Sequence, residues 1–447
     1  MMKTIQLTLT GAVLLALVGA GCSPDDPEQL SLAITQPEGA AALARYVAIG
    51  DNLTAGFMDG GLILDGQLAS YPMQIAVQLG YSYDSGSDEW FAQPLIAWPG
   101  VGSSALSNPA FAAGVLHWTG STIAVVDSTP LLDVQDELLL AARYPTPYAN
   151  LGVPGATTFD VANALGSTTS QVPGNRYFDF ILRNPAFGDV AMLGQAIAQG
   201  PTLASIWIGY SDVLGGAMSG QPQVGVNVTP PVAYAALLED VVAGLQDGVL
   251  ARFGYRPHLV VGDIPSLTAA PYFMPKALFD TVVGGAYPTD EDDVAIVLFP
   301  ALGLVQGGST DPLPATLTLT TAEVTVLEET AVAYNDAIAD LALVYEFTVA
   351  GLNERMGGLS VAERTHFVLL LGQGLTVEQA AATTVYSLDG IHPNNGGYSL
   401  VANAFIEAIN TELELAGDDA VEPVARRPWD PTYPESIIGS GAASVAR

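Results

Sequence analysis

Short runs of consecutive apolar residues recur along the chain, separated by longer stretches with apolar positions at three-and-four spacing. The runs are Arg45–Gly50, Pro147–Gly152, Leu203–Gly209, His258–Ile264 and Ala342–Thr348. Continuous apolar runs of this length read as strands buried on both faces. The helical spacing covers Val232–Phe253, Ala322–Leu343 and Gly397–Leu415. Tyr71–Leu79 also reads as a helix, with Pro72 in its first turn. Strands alternating with helices predict an α/β fold with a parallel sheet covered on both faces. In such a sheet the chemistry gathers at the carboxyl ends of the strands.

Two stretches interrupt the alternation. Residues 82–144 contain Trp90, Phe91, Trp98 and Trp118 among many small residues, and residues 270–319 are rich in Pro and Gly. Loops this long in a compact domain usually serve a site. They read either as insertions bordering a site, such as an apolar acyl pocket, or as decoration with a small core of its own. No internal repeat is present. The organisation expected is a leader at 1–22, a Pro/Asp/Glu-rich tether at 23–43 and a domain at 44–417. A tail at 418–447, containing Arg426-Arg427-Pro-Trp-Asp, reads as an irregular wrap or as disordered.

The leader has one positive charge, Lys3, then the apolar stretch Gly11–Ala20, then Gly21-Cys22. The stretch is too short to span a bilayer, which takes ~20 apolar residues, and fits a secretory signal. Small residues before a lone cysteine resemble a bacterial lipobox, with Val18 one place early. On that reading Cys22 becomes the acylated first residue and a membrane anchor. Ser23 then favours the outer membrane of the cell envelope. The plainer reading is a secretory signal with an incidental cysteine.

Composition narrows the classes. The chain has 447 residues, 46 Asp+Glu against 13 Lys+Arg, and a net charge of −33. So anionic a surface repels a phosphate backbone, so nucleic acid is not an expected partner. Hydrophobic residues make up 49% of the chain, enough for a sizeable core. A single cysteine excludes an intrachain disulfide. With only four histidines (His117, His258, His366, His392), no metal site or cofactor is expected. Lys3 and Lys276 are the only lysines. Acidic, lysine-poor composition suits high ionic strength, though an ordinary acidic secreted protein fits equally.

Four segments carry the chemistry. The first strand ends Ile49-Gly-Asp-Asn-Leu-Thr-Ala-Gly-Phe57, and the second leads into Asn150-Leu-Gly-Val-Pro-Gly-Ala-Thr-Thr158. The third ends Ile208-Gly-Tyr-Ser-Asp212, and Ser387-Leu-Asp-Gly-Ile-His-Pro-Asn394 comes last. In this order the chain, from Arg45 to about Asn410, resembles the SGNH (GDSL) esterases and lipases. The resemblance implies that Asp389 orients His392 as general base and that the Gly155 N–H helps bind the oxyanion. It also implies a three-layer α/β/α sandwich of flavodoxin-like type, and an ester hydrolase acting on acyl or acetyl esters of lipids or glycans.

Two positions depart from the family pattern. Asn52 stands where the serine nucleophile belongs, and Ser211 where an oxyanion-binding asparagine belongs. An asparagine amide cannot form the usual acyl-enzyme. Three explanations compete: a silent binding protein on the same scaffold, another hydroxyl as nucleophile, or a substitution peculiar to this sequence. The departures look reciprocal, so Ser211 is one alternative nucleophile, with the Asn52 amide as its oxyanion donor. Thr54 is a weaker one, better explained as a cap or packing residue. Two functions therefore stand open: an ester hydrolase and a catalytically silent ligand-binding lipoprotein.

Overall fold

The computed structural model describes residues 36–84, 86–103, 111–112, 114–125, 129–130, 146–182 and 188–432. Cys22, the leader and most of the tether lie outside the described residues. Five strands form the central sheet: β1 (Tyr46–Gly50), β2 (Asn150–Gly152), β3 (Leu203–Trp207), β4 (His258–Gly262) and β5 (Thr348–Ala350). Their order is β5-β4-β3-β1-β2 and every pairing is parallel. The fold is therefore α/β, with helices flanking a parallel sheet. All residues of β1, β3 and β4 are buried, as expected where both faces are covered.

The helices fall into two packed groups. One joins α1 (Asn52–Ala55), α2 (Tyr71–Gln78) and the long α7 (Asn395–Glu412). The other joins α3 (Met192–Gln199), α5 (Pro231–Phe253) and α6 (Thr321–Tyr345). Between β3 and α5, α4 spans Tyr210–Met218. Tyr71 stacks on Phe405 at 4.4 Å and Tyr234 on Tyr334 at 3.9 Å, tying neighbouring helices within each group.

One strand expectation needs correcting. Ala342–Tyr345 is the last turn of α6, not a strand, and β5 starts only at Thr348. Thr320 and Glu323 form a capping box that launches α6, and Glu346 in the left-handed region (φ 53°) ends it. The apolar run at 342–348 thus straddles a helix end and a strand start.

The second insertion builds a three-stranded antiparallel sheet from 273–275, 294–298 and 318–320. Met274, Phe279, Val297, Ala301, Leu302 and Leu313 form a separate small core there. The same insertion also reaches the site through Tyr272, Phe299 and Pro300.

The tail from 420 is irregular but bonded through to Thr432. Asn410 and Asn403 of α7 each exchange two hydrogen bonds with its backbone, at Val421 and Val424. Trp429 is buried edge-on against Phe367 and donates to Asp59 Oδ2 at 3.3 Å. Among the described residues no helix is long and apolar enough to cross a membrane, and no His/Cys/Asp/Glu cluster has metal-binding geometry.

Candidate active site

Each of the four segments leaves a strand end or precedes α7, so the sheet edge brings them together. β1 ends at Gly50, and Asp51 caps α1 by accepting the Leu53 N–H at 3.2 Å. A Cβ at Gly50 would lie 2.1 Å from Thr54 Oγ1, so only glycine lets α1 turn this closely onto the strand. That packing accounts for Thr54: it is fully buried, bonded to Tyr71 Oη at 3.1 Å and aimed at the Trp207 carbonyl. It is a packing residue without access to His392.

Asp389 and His392 sit on the tight loop before α7. His392 Nδ1 lies 2.9 Å from Asp389 Oδ2, and the ring packs against Phe57 at 4.7 Å. The other Asp389 oxygen accepts the backbone N–H groups of Ile391 and His392, each at 2.9 Å, while Gly60 N–H donates to Oδ2 at 2.8 Å. Burial opposes the charge, but His392 and these donors outweigh it and hold the Asp389 carboxyl at about 2. Asp389 is thus a fixed acceptor that sets the imidazole tautomer, with the proton on Nδ1 and the lone pair on Nε2.

Asn52 fills the space that remains. Its Nδ2 is 2.8 Å from His392 Nε2. Its Oδ1 accepts the Gly155 N–H at 2.5 Å and lies 3.4 Å from Ser211 Oγ. The donors fix the amide orientation: reversed, it would point N–H groups at the Gly155 N–H and an oxygen at the imidazole lone pair. Gly155 reaches this position with φ 74°, in the left-handed region open to glycine. One side chain therefore occupies two stations. Its nitrogen faces the imidazole and its oxygen the Gly155 N–H.

Ser211 is not the attacking group of a reciprocal site. Its Oγ donates to Asp51 Oδ2 at 3.0 Å, and its N–H donates to the same oxygen at 3.1 Å. No hydrogen bond joins Ser211 to His392, because Asn52 lies between them. One of the two Asn52 amide N–H groups is likewise directed at the imidazole.

Several supporting residues were not visible in the sequence. Asp51 is fully buried, and desolvation raises it to about 6 despite the Leu53 and Ser211 donors. Asp212 holds the second segment to the third by accepting Thr158 N–H at 2.8 Å and Thr158 Oγ1 at 2.9 Å. Asp59 accepts the Leu388 N–H at 2.7 Å. His366 is buried against the Asp389 loop: Nε2 lies 3.1 Å from the Leu388 carbonyl and the ring stacks on Phe299. Desolvation lowers it to about 4, so it is neutral. His258 and His117 lie elsewhere, bonded to Glu412 with Pro37 and to Ala124 respectively.

A cavity of about 520 Å³ opens over Asn52 and His392. Leu116, Ile123, Val172, Leu214, Met218 and Phe299 contribute to its apolar wall. This size suits a small ligand or one acyl chain.

No protein-family model and no curated protein matches the chain. Among solved structures it is similar to an α/β hydrolase from the metagenome of Lake Arreo, Spain. The two share 14% identity over 83% of this chain and 96% of that one, with a TM-score of 0.33. A protein described as a GDSL-like lipase from Parabacteroides merdae shares 12% identity over 49% and 63%, at 0.23. A gut microbial diltiazem-metabolizing enzyme shares 13% over 86% of this chain and 48% of that longer one, at 0.30. Hydrolases are thus among the chain's structural neighbours, at identities and TM-scores that carry nothing further.

Proposed function

We propose that this chain is an SGNH-type hydrolase scaffold whose site has lost its nucleophile and now binds an apolar, acyl-type ligand without cleaving it. The observation that carries this reading is the placement of Asn52, whose amide caps His392 Nε2 and fills the Gly155 oxyanion position. General-base assistance contributes ~10²–10⁴-fold to a rate only when a nucleophile stands against the base. A second reading, slow ester hydrolysis, is favoured by one observation: the Asp389–His392 pair keeps the geometry of a working base.

A panel of variants separates the two readings. The wild type is expected to be silent on acyl and acetyl esters. Asn52→Ser places a hydroxyl against His392 and frees the oxyanion position. It should create esterase activity and labelling by a serine-directed phosphonate, and His392→Ala in that background should abolish both. Ser211 is a poor oxyanion donor because Asp51 takes its hydroxyl, so Asn52→Ser with Ser211→Asn should be faster by up to ~10²-fold. Wild-type turnover that is lost in His392→Ala would overturn the silent reading and establish the second.

From the leader sequence alone, we propose that the protein sits on the cell envelope, anchored in the outer membrane through acylated Cys22. Cys22→Ala should release it from the membrane fraction. Unchanged fractionation would leave only an ordinary export signal.

A further inference from the structure

Most of the polar groups around the cavity are already committed. Asn52 uses both ends of its amide. Asn175 donates to the Pro154 carbonyl at 2.7 Å and accepts the Tyr177 N–H at 3.1 Å. Thr157 Oγ1 is bonded to Asp160 and Gln171 at 2.9 and 2.6 Å. Two hydroxyls on the lining, those of Ser103 and Tyr272, have no hydrogen-bond partner among the described residues; Ser103 is exposed to water, whereas Tyr272 is half-buried. The Tyr272 backbone is fixed: its N–H donates to the Gly390 carbonyl at 2.9 Å, and its carbonyl accepts the Phe299 N–H at 2.8 Å. Partial burial, with Asp389 nearby, raises the phenol to about 12, so it is a neutral donor at any physiological pH.

Charge gives the second constraint. No Lys or Arg lines the cavity among the described residues. Arg176, next in sequence to Asn175, is paired with Asp179 at 3.0 Å. The charge on the cavity wall is the Asp389 carboxylate. A ligand carboxylate entering here would lose its hydration, find no Lys or Arg among the described residues and meet the like charge of Asp389. A neutral ligand meets none of these costs.

We propose that the cavity selects an uncharged amphiphile, an apolar chain bearing a hydrogen-bond acceptor such as an ether or ester oxygen, and that the Tyr272 hydroxyl is the donor that anchors it. This rests on the binding reading above and adds the ligand's charge and its point of attachment. Excluded carboxylates include free fatty acids, the products an esterase would release. One neutral hydrogen bond changes affinity by about three- to tenfold, so the anchor tunes a preference while apolar burial supplies most of the binding.

The experiment uses the full chain with Nile red as a neutral reporter at pH 8. Competitors are dodecyl methyl ether, tridecane and dodecanoate, each below its aggregation limit. The ether resists hydrolysis, so turnover cannot confuse the result. Expected for the wild type is displacement by the ether at about threefold or more below tridecane, and at least about tenfold below dodecanoate. In Tyr272→Phe the ether should lose its advantage over tridecane, while tridecane itself displaces as before, which certifies an intact cavity. Should Tyr272→Phe disturb the alkane too, direct transfer of saturation from bound ether protons to the Tyr272 ring in the wild type replaces it, and its absence overturns the anchor. Dodecanoate competing as well as the ether overturns the charge selection. Failure of Nile red and of every competitor to bind refutes the binding reading itself.

Discussion

Asp51 has no cationic partner among the described residues, and three donors from Leu53 and Ser211 surround its buried carboxylate. Its folded pKa of about 6 lies above that of an unfolded aspartate, ~4. The folded state therefore binds the proton more tightly, and stability is highest below pH ~4 for this group and falls as pH rises through about 6. A shift of about two units corresponds to about 3 kcal/mol lost across that window. Asp212, also at about 6, acts in the same direction, whereas Asp389, held at about 2, loses its contribution only in strong acid. Asp51→Asn should reduce the stability decline between pH 4 and 7 by up to about 3 kcal/mol, read as the slope of denaturation midpoint against pH. An unchanged slope would show that Asp51 titrates normally. At this scale the sequence revealed which residues meet, because Asp389, His392, Gly155, Asn52 and Ser211 each occupy a fixed place in an ordered segment. It did not reveal how the Asn52 amide is turned, which depends on three donors and acceptors from three segments. Nor did it point to Tyr272, whose role comes from a backbone bond to Gly390 across more than a hundred residues.

Strand and helix positions were legible wherever burial was continuous or the period long. β1, β3, β4, α5 and α7 lie where the apolar pattern puts them. The fifth strand was displaced because a short apolar run fits a helix end as well as a strand, and only the capping box and Glu346 decide between them. The tail was the least legible element, since it has no periodicity and its order comes from side chains of α7. Its anchor, Trp429, both packs on Phe367 and donates to Asp59, which in turn holds Leu388 beside Asp389. Trp429→Ala should cost roughly 3 kcal/mol by removing a buried ring. Trp429→Phe keeps the packing and loses only the N–H, so about 1 kcal/mol is expected. Thermal unfolding of the two variants checks this, and equal losses would assign no value to the Asp59 bond.

A net charge of −33 acts on the whole molecule rather than on any element. The arginines Arg256, Arg355 and Arg426 make surface ion pairs, but each meets one carboxylate, and 46 Asp+Glu far outnumber 13 Lys+Arg. Exposed pairs of this kind contribute little, ~0–1 kcal/mol, so the dominant electrostatic effect on the folded state is self-repulsion. Repulsion of this range is screened as the Debye length falls from ~10 Å at 0.1 M to ~3 Å at 1 M salt. Sodium chloride from about 0.05 to 1 M should therefore raise the unfolding temperature, with most of the gain at the low end of the range. Chloride is the right choice, because sulfate would also strengthen apolar burial and hide the electrostatic part. Near pH 4 many carboxylates take up protons and the repulsion weakens, so the same salt range should have a smaller effect there. A temperature shift that is flat with chloride, or equal at pH 4 and pH 7, would show that the acidic surface is tolerated without cost. A rise confined to neutral pH would tie folded stability to ionic strength through the carboxylates themselves.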